Sequence, residues 1–218
     1  MKTAGLIAKK VGMTRMVDAE GVLTAVTLLQ IEQQKVTKVL TAERDGYTGF
    51  QVGYHTKKEK ALHKPDVARL RKASIQENYT SFKEFRADKV DHQLGHEFGA
   101  GILEGVKAVD ITGLSKGCGF SGAHKRWNSA HGRMTHGSRF HKSPGSLGMR
   151  ATPGKVMKNR HQPGQHGNTQ VTIQNLDVLD IDTANNVVAV RGSVPGHRNA
   201  FLVIRPSIKV KAEKKVKK

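Results

Sequence analysis

GLSKGCGFSGAHKRWNSAHGRM (residues 113–134), THGSRFHKSPGSLGMRATPGK (135–155) and VMKNRHQPGQHGN (156–168) follow one another without a break, and their reading decides the rest of the chain. No Asp or Glu occurs between Asp110 and Asp177, although the chain has 18 acids. The stretch carries ten Lys/Arg, six of the eleven His and eleven of the 23 Gly. Its apolar residues, Phe120, Trp127, Met134, Phe140, Leu147 and Val156, keep a period of neither about 3.6 nor about 2, so no buried helix or strand face is predicted. A run this long without structure is rare in a compact domain unless it is functional or disordered. Scattered aromatics, Pro and His argue against a low-complexity linker. The stretch reads as a cationic extension shaped by a polyanion, with Gly backbone free to approach phosphates closely.

Outward from it, the chain is β-rich on both sides. Residues 4–17 and Val22–Ile31 are predicted strands joined by a turn at Asp18-Ala19-Glu20-Gly21. Lys35–Thr41 and Gly49–Tyr54 follow, and the four segments suggest a meander or part of a barrel. Lys57–Ala73 is basic, and Pro65-Asp66 suits the first turn of a short helix, PDVARLRKA. Residues 76–100 are mixed. A strand is predicted at Gly105–Thr112, with Val109 and Ile111 on one face. After the extension comes Val171–Asp182, whose alternation slips near Asn175 as a bulge would make it. Asn185-Asn186 turns that strand into Val187–Arg191, and Ala200–Arg205 is the last one. The tail from Lys209 has six Lys in ten residues and is expected to be disordered.

Composition narrows the function. The 218 residues carry a formal charge of +19 with pI near 10.2, which points to nucleic acid or another anionic surface. Aromatics make up only 5%, so phosphate contact rather than base stacking must dominate. Cys118 is the single cysteine, which excludes an internal disulfide and fits a reducing compartment. No signal peptide and no apolar run of membrane-spanning length is visible, so a cytoplasmic protein without a membrane partner is expected. The Asn78-Tyr79-Thr80 sequon is then a chance match.

Several motifs invite sharper readings. Gly117-Cys118-Gly119-Phe120-Ser121-Gly122 matches GxGxxG after a predicted strand, but a dinucleotide site also requires a helix and an acid about 20 residues on. AHKRWNSAHG follows instead, and the next acid is Asp177; a Gly-rich bend beside RNA is the better reading. His131, His136 and His141 recur every five residues and His161 and His166 continue the series. With one Cys and no nearby carboxylate, a metal site is not expected, and hydrogen bonding to phosphate or ribose fits better. A Cys118/His124 nucleophile pair lacks an orienting third group, and a lone Cys is more often a small packed side chain. Trp127, beside Lys125-Arg126 and outside any apolar pattern, is assigned to stacking or wedging at an RNA surface rather than to a core.

KGCGFSGAHKRW (116–127), THGSRFHKSPGSLG (135–148), TPGKV (152–156) and PGQHGNTQVTIQNLDV (163–178) closely resemble the L-three family of ribosomal proteins, bacterial type. GLIAKKVGMTR (5–15) and VRGSVPG (190–196) match it too, in family order across essentially the whole chain. The resemblance implies a mainly β fold with an α+β insertion: a translation-protein-type β-barrel plus a long irregular basic extension. It divides the chain into barrel (1–56), inserted α+β excursion (57–100), barrel strand (101–116), RNA-threading extension (117–168), barrel again (169–208) and basic tail (209–218). It further implies a structural constituent of the large ribosomal subunit that binds large-subunit ribosomal RNA, helps nucleate its assembly and reaches towards the peptidyl transferase centre. Neighbouring large-subunit proteins would be its other partners. Many bacterial members carry a Gln after the GSLG segment, methylated in some; Met149 stands there in this chain and cannot take that modification.

The expected function is therefore non-enzymatic RNA scaffolding, with no catalytic residue, cofactor, metal or small-molecule substrate. Lys116, Lys125, Arg126, Arg133, Arg139, Lys142, Arg150, Lys155, Lys158 and Arg160 are expected to neutralise phosphates, joined by Trp127, His131, His136 and His141. The lack of acids among them avoids repulsion in a field of high negative potential. A DNA-architectural protein would need a groove-reading helix or a β-ribbon wedge. An enzyme acting on nucleic acid would need clustered carboxylates. Neither DNA-binding device is evident, and the acid-free stretch argues against the enzyme.

Overall fold

The computed structural model describes residues 5–17, 21–87 and 92–209. Two compact units emerge, one of residues 1–114 with 170–218 and one of residues 115–169. The first unit is mainly β. In chain order it has β1 (Leu6–Val17), β2 (Leu23–Ile31), β3 (Gln34–Leu40), the short helix α1 (Ala42–Asp45) and β4 (Gly49–Thr56). Helix α2 (Lys64–Lys72), β5 (Tyr79–Arg86), β6 (Glu97–Phe98) and β7 (Ala108–Leu114) follow. The second unit supplies β8 (Gly119–Ser121), α3 (Ala123–Trp127) and β9 (Gly164–His166), and the chain then returns through β10 (Gln170–Asp182), β11 (Val187–Arg191) and β12 (Phe201–Pro206).

Six strands close into a barrel in the order β1-β12-β7-β10-β11-β2, every pair antiparallel. Closure pairs both edges of each strand along part of its length and so removes the open edges that invite aggregation. Leu29, Val109, Ile111, Val188, Val190, Leu202 and Ile204 fill the core. Burying each large aliphatic side chain contributes about 1.5–3 kcal/mol. Thr112 pairs with Thr172 and Leu114 with Gln170, so the chain leaves the barrel and re-enters it on neighbouring strands.

The slip expected near Asn175 is present. The β7–β10 register shifts between Ile173 and Leu176, and Asn175 takes a left-handed φ of 57°. The nearly buried Asp110 carboxylate accepts the freed Asn175 N–H at 2.8 Å, so the bulge costs no unpaired donor. Helix α2 is present where Pro65 signalled it, with Pro in the first turn and Leu70 turned inward.

One expectation about the barrel differs from what is observed. Lys35–Thr41 and Gly49–Tyr54 do not extend the barrel. As β3 and β4 they form a separate four-stranded sheet, in the order β5-β4-β3-β6, so the insertion begins well before residue 57. The physical reason lies in Gln34, which is buried. Its side-chain amide accepts from Ile7 N–H at 3.1 Å and donates to Ile7 C=O at 3.2 Å, taking the place of a strand partner beside β1. Phe50, Val52, Phe85 and Phe98 of this sheet share one apolar cluster with Leu6, Ile7 and Ala8, which explains why three consecutive β1 residues are buried. Lys35 binds Glu77 and Glu97, and those hydrogen bonds raise its pKa well above the ordinary lysine value. The turn expected at residues 18–21 lies largely outside the described residues, as does the tail beyond Lys209.

Candidate nucleic-acid interface

Residues 113–168 were expected to lack regular structure, yet both ends of the stretch are ordered. Ser115 N–H donates to Thr169 C=O at 2.9 Å, and Thr169 N–H donates to Ser115 Oγ at 3.2 Å. Next inward, β8 and β9 pair antiparallel through Gly119/His166, Phe120/Gln165 and Ser121/Gly164. Gly167 is required here: its φ is +69°, and a Cβ would sit 2.0 Å from the Lys116 carbonyl oxygen. Helix α3 is a single turn and a half, ended by Asn128 in the left-handed conformation at φ 54°. Elements of three and five residues are too short to register as periodicity, so the sequence could not announce them.

A set of ring contacts holds α3 against the returning strand. The Trp127 indole stacks on the His161 imidazole at 4.6 Å and 5° between planes, while its Nε1–H donates to Gln162 C=O at 2.9 Å. Arg126 Nη1 donates to the same carbonyl at 3.1 Å and its guanidinium lies 4.9 Å from the indole centroid. Gly164 leaves room for this guanidinium, since a Cβ there would meet Arg126 Nη1 at 2.5 Å. Trp127 was expected to meet an RNA surface; in the chain itself it stacks on His161, and it remains 42% exposed. Gln162 and Gly164 were not singled out in the sequence, and no local pattern marks them, because their role depends on a partner some 36 residues away.

The histidines separate into different roles. His124 stacks face to face on His131, 4.5 Å between centroids, and its Nδ1 lies 2.8 Å from Ser129 C=O. His141 Nδ1 lies 3.0 Å from Arg133 C=O, and Gly132 N–H donates to His141 C=O at 3.0 Å, closing the 132–141 loop. A Cβ on Gly132 would stand 1.8 Å from Phe140 C=O. His136 is exposed, with a left-handed φ of 56°. Among the described residues no three of His, Cys, Asp and Glu lie close enough together to hold a metal ion. Cys118 is exposed, not the small packed side chain that was anticipated; it lies just before β8 and outside both apolar clusters.

Lys116, Lys125, Arg133, Arg139, Lys142, Arg150, Lys155, Lys158 and Arg160 are exposed, and only Arg126 is half-buried. The segment itself contains no carboxylate to pair with them. Phe120, Met134, Phe140 and Met149 are exposed as well, Met149 to 77%. The segment thus exposes both cations and apolar side chains and carries no acid of its own, a combination suited to phosphates and ribose faces.

The family model for Ribosomal protein L3 matches residues 84–186, which run from within β5 to the turn before β11 and include all of this segment. Curated relatives extend the match. Large ribosomal subunit protein uL3 of Alkaliphilus metalliredigens (strain QYMF) is 41% identical over 206 residues, 94% of this chain and 98% of that protein. The protein of the same name in Acholeplasma laidlawii (strain PG-8A) is 43% identical over 210 residues, 94% of this chain and 97% of its own length. That of Alteromonas mediterranea is 40% identical over 209 residues, 94% and 98% of the two chains. Similarity at this level, in register over nearly the full length of both partners, means that the chain belongs to the ribosomal protein L3 family.

Proposed function

We propose that the protein is a non-catalytic structural constituent of the large ribosomal subunit, cytoplasmic, binding ribosomal RNA directly and helping to nucleate its assembly. The observation that carries this reading is the acid-free segment 115–169, with nine exposed Lys/Arg and no carboxylate of its own. Each exposed cation that meets a phosphate releases condensed counterions, and this supplies most of the affinity. Lys116, Lys125, Arg133, Arg139, Lys142, Arg150, Lys155, Lys158 and Arg160 serve as phosphate contacts, with Arg126 and Trp127 fixing the neck of the segment. His131, His136 and His141 contribute polar contacts, without metal or proton transfer. In this reading residues 117–168 thread into RNA towards the peptidyl transferase centre, while the barrel, built from β1, β2, β7 and β10 to β12, docks on the folded RNA and its protein neighbours. The inserted sheet with α2 and the tail at 209–218 add further surface. No cofactor or small-molecule substrate is involved.

The test is deletion of residues 128–150, beyond the Trp127 stack. Particles reconstituted with the deleted protein should still take up the protein but assemble late intermediates poorly or form peptide bonds slowly. Asn at His131, His136 and His141 together should cost little by comparison. If that triple change alone abolished peptide-bond formation while assembly stayed normal, scaffolding would be the wrong role and a proton-transfer or metal role would replace it.

A further inference from the structure

The β1–β2 hairpin outruns the rest of the barrel. β12 pairs with β1 only from Leu6 to Lys9. The last contact on that edge is Lys10, whose N–H donates to Ala200 C=O at 2.9 Å and whose C=O accepts from Asn199 N–H at 2.8 Å. β1 and β2 stay paired as far as Val17/Leu23, across a bulge between Lys10 and Gly12. Ala25 turns its C=O away from β1, towards Gly192 N–H at 2.8 Å. Backbone groups alternate between the two edges of an antiparallel strand, so Arg15, opposite Ala25, turns its own N–H and C=O to the outer edge of β1, as do Met13 and Val17. Among the described residues no backbone group pairs with that edge beyond Lys10. The same residues share a face with Leu23 and Ala25. Met13 is 53% exposed, Val17 63% and Leu23 58%, whereas Thr24 and Val26 on the other face are buried.

We infer that this hairpin is a protein-docking edge, which takes an extended segment of a neighbouring large-subunit protein as an added strand along β1. It rests on the reading that the chain works inside the ribosomal particle. An unpaired apolar edge is a template for another strand, and native proteins leave one this long only where a partner covers it. Charge selects the occupant. In a chain of +19, residues 11–31 carry one Arg against two acids, which makes the hairpin a poor surface for phosphate. Two copies of so cationic a chain repel each other, which disfavours self-pairing. The free N–H and C=O groups supply the ladder, and Met13, Val17 and Leu23 supply apolar anchors. Arg15 between them favours an acid opposite it on the added strand.

The experiment places the photo-crosslinking residue benzoylphenylalanine at Met13 of the full-length protein and irradiates large subunits reconstituted with it. The expected result is one discrete adduct with another ribosomal protein. An adduct with ribosomal RNA or with a second copy of the chain overturns the inference, as does the absence of any adduct. Two further proteins carry the same label, one with Val17→Glu and Leu23→Glu, the other with Arg15→Pro, which deletes an outward N–H and leaves the β1–β2 pairing in place. Unchanged thermal melting establishes that each is folded, and the glutamate protein decides alone if the proline lowers the melting point. Each change should cut the adduct yield roughly tenfold, as expected for the loss of an interface anchor. A cut below about twofold in a folded variant overturns strand addition with apolar anchoring. Failure of the unlabelled parent to enter particles would remove the proposed function and this inference together; a parent that enters, with a label that finds no protein, removes the inference alone.

Discussion

Tyr79 is fully buried, and its hydroxyl has no hydrogen-bond partner among the described residues. It packs with Leu70 and Ile75 and fills the space that Gly53 leaves open; a Cβ on Gly53 would meet the Tyr79 ring at 2.8 Å. Burial pushes its phenol up to about 12, from an ordinary value of 10.0. Because the folded-state value is the higher one, this group's contribution to stability is complete below about pH 10 and is lost as pH rises towards 12. Tyr79→Phe removes an unpaired buried hydroxyl and keeps the ring, so stability near neutral pH should be unchanged or higher by up to about 1 kcal/mol. Melts of parent and variant at pH 8 and near pH 11 check both points: the variant should lose less stability than the parent on going alkaline. A Tyr79→Phe protein clearly less stable at pH 8 would mean that the hydroxyl has a partner after all. Asp110 illustrates the opposite solution, a buried carboxylate kept because it receives the Asn175 N–H that the bulge frees.

Among the elements, the β8–β9 ribbon and α3 divide the extension into an ordered neck and a longer remainder. Trp127 is the only tryptophan, so tryptophan emission, excited selectively over the three tyrosines, reports on the neck alone. The indole is stacked on His161 and hydrogen-bonded to Gln162 in the RNA-free chain. His161→Ala should therefore shift the emission to the red and increase quenching by iodide, with the far-ultraviolet circular dichroism of the barrel unchanged. An unaltered spectrum would show that the stack does not form in solution. Trypsin offers a second view of the same division. Cleavage after Arg133, Arg139, Lys142 and Arg150 should precede cleavage after Arg126, whose guanidinium is tied to Gln162 and whose backbone N–H donates to Gly122 C=O in α3.

For the whole molecule, the formal charge of +19 sets the response to salt. With six to ten phosphate contacts, RNA affinity should fall by roughly 10³–10⁵ between about 50 and 200 mM salt. A nearly flat dependence would be incompatible with binding dominated by phosphates.

What the sequence by itself determined is whatever is encoded locally. The bulge at Asn175 showed as a slip in alternation, α2 as Pro65-Asp66 before an amphipathic turn, and the cationic, acid-free character of 113–168 as a missing residue type. The family likewise followed from contiguous motifs. Only the tertiary structure decided which sheet each strand joins. β3 and β4 alternate as barrel strands would, and pairing partners are non-local, so nothing in Lys35–Thr41 states that its neighbours are β4 and the two residues of β6. The buried Gln34 that directs this choice looks in sequence like any polar residue at a turn. The neck of the extension was hidden for the same reason. Trp127 and His161 are distant in the chain, and their contact exists only once β8 has paired with β9.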